Sequence, residues 1–159
     1  MPRTSLFLPF IAALALVGCS GTEPDAQPPN IQGQYTGNWA FSGAIPSGRT
    51  IFNFSCPCTF EIVAQQGRQF SGRTTFTSPC AGTLGISSGT IEVDGRLEFR
   101  FSDQLNLLQG QGCRVVSQGL LTGTYSNGTI SATRTEQYDC AVGFGSDAAV
   151  TVTVNATRQ

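Results

Sequence analysis

The chain has 159 residues, a net charge of −1 and 12% charged side chains, about half the share usual in soluble domains. It contains no His and no Lys, and its single Met is residue 1. The commonest general base and metal ligand, any Schiff-base chemistry and thioether ligation are therefore missing, and no basic stripe exists to hold nucleic acid. The expectation is a chain that is not an enzyme and carries no cofactor or metal.

Arg3 and the amino terminus precede a twelve-residue apolar run, Leu6–Val17 (LFLPFIAALALV). That length suits the core of an export signal and is too short to span a bilayer as a helix. The residues that follow it, Leu16-Val17-Gly18-Cys19, resemble the bacterial lipobox. The resemblance implies a signal peptide over 1–18, cleavage before Cys19 and acylation of its thiol, with the new amine acylated in turn. Several acyl chains, palmitate among them, satisfy the two-signal requirement for stable anchoring. Ser20, where the family's inner-membrane retention signal would place Asp, implies the outer membrane if the cell has one. The partner implied by Cys19 is thus a membrane of the cell envelope. Ser20–Asn30 (SGTEPDAQPPN) is polar and holds three prolines, so residues 19–30 read as a lipidated Cys and a disordered tether.

Residues 31–159 read as one domain. Tyr35, Gly37, Trp39 and Phe41 alternate with Thr36, Asn38, Ala40 and Ser42. Phe60, Ile62 and Ala64 alternate with Glu61 and Val63. Leu97, Phe99 and Phe101 alternate with Glu98 and Arg100, and Val150, Val152, Val154 and Ala156 alternate with Thr and Asn. Period two with one polar face means antiparallel strands over a core. Asn127-Gly128 predicts a two-residue type I′ turn pairing Tyr125 with Ile130. Around Asp94-Gly95 a two-residue loop would oppose Ile91 and Glu98. A three-residue loop, Val93-Asp94-Gly95, opposes Ile91 with Leu97 and Glu92 with Arg96, and is preferred. The runs predict about eight strands, near 33–42, 50–64, 68–77, 82–92, 96–105, 114–126, 129–139 and 148–158. With no helix, these favour an all-β, up-and-down barrel, with a two-sheet β-sandwich as the alternative.

Gly37-Asn38-Trp39 in the first strand resembles the Gly-x-Trp opening of lipocalins and is similar to that of avidins. The resemblance implies a small barrel in which Trp39 closes one end and an Arg, Arg158 or Arg134, packs on it. The second lipocalin motif is not evident.

Five cysteines remain beyond Cys19, an odd number, so at most two disulfides form in the oxidising space outside the cytoplasm. On an ideal ladder from the Asn127-Gly128 turn, Val115 opposes Cys140, and irregular backbone at Cys113 would be needed to make the expected Cys113–Cys140 bridge. Cys80 is expected to pair with Cys58 or Cys56. Pro57 between those two denies a ladder donor and marks a bulge or strand end. A staple is favoured over a redox pair or metal site.

Two functions follow. In the first, an unfilled barrel binds a small apolar ligand, lined by Tyr35, Trp39, Phe60, Phe70, Phe99, Phe101 and Tyr125, with Gly72, Gly89, Gly119 and Gly123 leaving room. In the second, the core is solid and the protein is a structural or surface-interaction lipoprotein that contacts another envelope component.

Overall fold

The computed structural model describes residues 26–44, 50–102, 113–140 and 147–159. Within them lie β1 (Gly33–Ala44), β2 (Thr50–Gln66), β3 (Gln69–Phe76), β4 (Gly82–Ile91), β5 (Arg96–Phe101), β6 (Cys113–Gln118), β7 (Leu121–Ser126), β8 (Thr129–Cys140) and β9 (Asp147–Arg158). All the pairings are antiparallel. β9 pairs with both β1 and β8, which closes the sheet on itself. β6 and β7 both lie along β8 and occupy one position in the wall, so the nine strands make an eight-position up-and-down barrel rather than a sandwich.

Alternation dictates the inner face. Tyr35, Trp39, Phe41, Cys56, Cys58, Phe60, Val150, Val152 and Val154 are buried, while Thr36, Asn38, Ser55 and Pro57 beside them are exposed. The turns follow their chemistry. Asn127 (φ 49°) and Gly128 (φ 78°) both take the left-handed conformation a type I′ turn requires, and Tyr125 opposes Ile130. At the other hairpin Gly95 has φ 84°, the Gly95 amide donates to the Glu92 carbonyl, and Ile91 opposes Leu97.

Bulges interrupt the ladder in three places. The register slips at Val63, so Val63 and Ala64 are both exposed and Ala64 does not join Phe60 and Ile62 inside. β4 carries its extra residue at Ser87, which keeps Leu84, Ile86, Gly89 and Ile91 all inward. Between β6 and β8 the register moves at Val116, and the break at Gly119-Leu120 moves it again. Cys113 comes to lie directly opposite Cys140. The irregularity is therefore at Val116 and Gly119-Leu120, not at Cys113; the side chains of Cys113 and Cys140 lie outside the described residues. The expected strand end at 103–105 lies outside them too.

The two ends of the barrel differ. At one, the turn end, short turns at Gly67-Arg68, Val93–Gly95 and Asn127-Gly128 meet the start of β1 and the end of β9. At the opposite, loop end β1, β5 and β8 finish and β2, β6 and β9 begin, and every cysteine among the described residues falls in that half. Residues 29–32 are pinned to the turn end rather than free. The Ile31 amide donates to Gln65 Oε1 (2.8 Å), Gln65 Nε2 donates to the Pro29 carbonyl (3.0 Å), and Tyr35 Oη donates to the Ile31 carbonyl (2.6 Å). Ile31 is fully buried there, so the expected tether stops short of Pro29.

Candidate binding site at the loop end

The seven aromatic residues expected to line a ligand space divide into two groups. Tyr35 meets Phe60 (centroids 6.3 Å) and Tyr125 (6.5 Å), Phe60 meets Phe99 (5.5 Å), and Phe99 meets Phe70 (6.1 Å). These edge-on and tilted contacts are those of a packed core, so Tyr35, Phe60, Phe70, Phe99 and Tyr125 form a plug in the turn-end half. The glycines do not leave room either. A Cβ on Gly123 would stand 2.0 Å from the Ser131 carbonyl oxygen, so that glycine permits a close turn of the wall. The Tyr35 hydroxyl, held in this plug, has a pKa pushed up to about 12 by burial, with Tyr125 adding to the rise and Arg158 opposing it.

Trp39 and Phe101 lie further toward the loop end. Trp39 packs on Phe101 (5.0 Å), Phe76 (5.2 Å) and Phe41 (6.2 Å). The Arg expected over Trp39 lies elsewhere. The Arg134 guanidinium stands over the Phe101 ring at 5.6 Å, while Arg158 is at the turn end, where its Nη2 donates to the Gln32 carbonyl.

Above these rings β8 turns an ion pair inward. Its buried face reads Ile130, Ala132, Arg134, Glu136, Tyr138. The Arg134 and Glu136 side chains are 3% and 1% exposed and pair through Arg134 Nη2 and Glu136 Oε1. Tyr138 Oη donates to the other carboxylate oxygen (2.7 Å). Gln118 on β6 sits directly across from Glu136. In and near this pair, four buried atoms lack a hydrogen-bond partner among the described residues: Trp39 Nε1, Gln118 Nε2, Arg134 Nε and Glu136 Oε1, the last within ion-pair reach of Arg134 but without a directed bond. Leaving such groups unmet costs about 1–3 kcal/mol each.

Among the described residues the ladder is interrupted beside them. β5 pairs with β7 over Arg96–Phe99 and not with β6 among the described residues. A cleft of about 190 Å³, lined by Arg100, Phe101, Ser102, Gln118, Gly119 and Arg134, occupies that gap. A larger groove of about 360 Å³ runs outside over the β4 bulge, between Gln69, Ser87 and Thr90, and holds none of these unpartnered atoms. The sequence reading missed Glu136 and Gln118 and gave Arg134 a different task. The available signal was the strict period of two from Ile130 to Tyr138, which puts two opposite charges on the core face.

Cys56 and Cys80 are joined in a disulfide, Cα atoms 5.6 Å apart, so Cys56 rather than Cys58 takes Cys80. Cys58 is a buried free thiol whose pKa is raised by burial, the Thr74 hydroxyl beside it acting in the other direction. Among the described residues no cluster of three His, Cys, Asp or Glu could hold a metal ion.

No protein-family description and no curated protein sequence matches the chain. A solved structure, that of EF1p2_mFAP2b bound to DFHBI, is similar at 10% identity and a TM-score of 0.35, covering 81% of this chain and 94% of that one. At that distance the fold is read from the strand pairing itself.

Proposed function

We propose that this chain is an envelope lipoprotein, anchored through Cys19, whose barrel binds a small molecule at the loop end rather than catalysing a reaction. The ligand's body is apolar and lies against Phe101 and Trp39. Its site is narrower than the aromatic lining suggested, because the turn-end half is solid. The observation that carries the reading is the unpartnered polar atoms on Gln118 and Arg134, both lining the cleft, and on Glu136 and Trp39, which touch Arg134 and Phe101 of that lining. Buried polar atoms normally find partners, and a bound molecule would supply them.

Native mass spectrometry of the domain, exported without its lipid, tests this. A reproducible added mass, lost on denaturation, is expected. The bare chain mass would favour the second reading, a solid barrel acting through its surface on another envelope component, which the ring contacts around Phe60 and Phe99 support. Labelled palmitate should enter the full chain and be lost in Cys19→Ala. With Ser20 after the lipidated Cys, the labelled protein should fractionate with the outer membrane where one exists.

A further inference from the structure

We infer that the group recognised at the loop end is an uncharged hydrogen-bond acceptor, an amide or ketone carbonyl carried on a flat apolar body; this rests on the binding reading above. Among the described residues the buried charges are matched one to one, since Arg134 and Glu136 pair and both are buried. A carboxylate or phosphate entering this space would add an uncompensated negative charge, and an ammonium an uncompensated positive one. Either would lose its hydration without gaining an opposite charge to offset the loss. The unmet atoms are mostly donors. Trp39 Nε1, Gln118 Nε2 and Arg134 Nε each offer a hydrogen, while Tyr138 already occupies one oxygen of Glu136. A carbonyl oxygen has two lone pairs and no charge, and so answers two of these donors without disturbing the ion pair. The rings of Phe101 and Trp39, 5.0 Å apart and tilted at 53°, supply the apolar wall beside it.

Trp39 is the only Trp of the chain and packs on Phe101, which lines the cleft, so its fluorescence reports on this site. Benzamide, benzoate, benzamidine and toluene present one ring with a neutral acceptor, an anion, a cation and no polar group. We expect a saturable change with benzamide, and binding at least about tenfold weaker for the other three. Gln118→Leu should weaken benzamide by about tenfold while near-ultraviolet circular dichroism stays native, and Val63→Ala on the outer surface should leave it unchanged. Benzoate or benzamidine binding as tightly as benzamide would overturn the inference and leave the binding reading standing. Toluene doing so would mean the polar atoms merely hold water, with the same consequence. If no probe saturates, the molecule retained by the native protein decides: an uncharged carbonyl compound supports the inference, and a charged one overturns it. No retained molecule and no saturation overturns both.

Discussion

The ring of Phe70 fills the space that a side chain on Gly89 would need. The two residues oppose each other across β3 and β4, and a Cβ on Gly89 would lie 2.4 Å from the ring. Gly89→Ala should therefore destabilise the barrel by about 1–3 kcal/mol through overpacking. In urea melts Gly89→Ala/Phe70→Leu should cost less than the sum of the single changes, because the smaller side chain frees that space. Additive costs would mean the two do not compete.

The buried pair on β8 should behave asymmetrically. Arg134→Met or Glu136→Leu alone leaves an unpaired buried charge and should cost about 3–5 kcal/mol. The double change, Arg134→Met/Glu136→Leu, should return most of that stability. Denaturant midpoints of the three variants decide it. A double variant as unstable as the worse single one would show that the pair holds the fold together rather than serving the site.

The Cys56–Cys80 bridge spans 24 residues of sequence. Its removal in Cys56→Ala/Cys80→Ala should cost about 3 kcal/mol by the loss of a constraint on the unfolded chain. Cys58 should resist thiol reagents in the native protein and react once denatured, since it is buried and its thiol is held protonated. Rapid labelling of Cys58 in the native state would contradict its position on the inner face.

Alkali should weaken the fold through Tyr35. Its hydroxyl has a pKa of about 12 in place against an ordinary 10.0, so the folded state keeps a proton that the unfolded state gives up. The stabilisation is whole below pH 10 and drains away as pH rises from 10 to 12, at about 1.4 kcal/mol for each pH unit between them. Cys58 acts in the same direction, beginning near its ordinary value of 9.0. Tyr35→Phe should flatten the alkaline limb of a stability-against-pH curve, while its loss of the hydrogen bond to Ile31 lowers the neutral plateau by about 1 kcal/mol. An unchanged alkaline limb would place the sensitivity elsewhere.

Strand order and turn type were legible because local rules fixed them. Asn127-Gly128 has one low-energy hairpin available to it, and the preference for Ile91 opposite Leu97 selected the longer loop at Gly95. What escaped was set by bulges. A single extra residue at Val63, Ser87 or Val116 reverses the inside–outside pattern beyond it, and nothing in their side chains marks them as bulged. The same limit governed the cysteines. Cys56 and Cys58 both face inward, so alternation could not choose between them, and only the path of the chain after Phe76 brings Cys80 to Cys56. The site itself was hidden because charged side chains are almost never fully buried unless paired, and the sequence alone shows no partner. Arg134 and Glu136 sit at positions that alternation assigns to the core, and their mutual neutralisation is what permits it.

Gln65 grips Pro29 and Ile31 at the turn end. An anchor at Cys19 would therefore hold the molecule by its base, like a cup on a short stem, with its rim turned away from the lipid surface. Whatever enters beside Arg134 would then arrive from the aqueous side and be passed on there. Such a protein would serve as a receiver facing the surrounding space, not as an extractor of molecules from the bilayer beneath it.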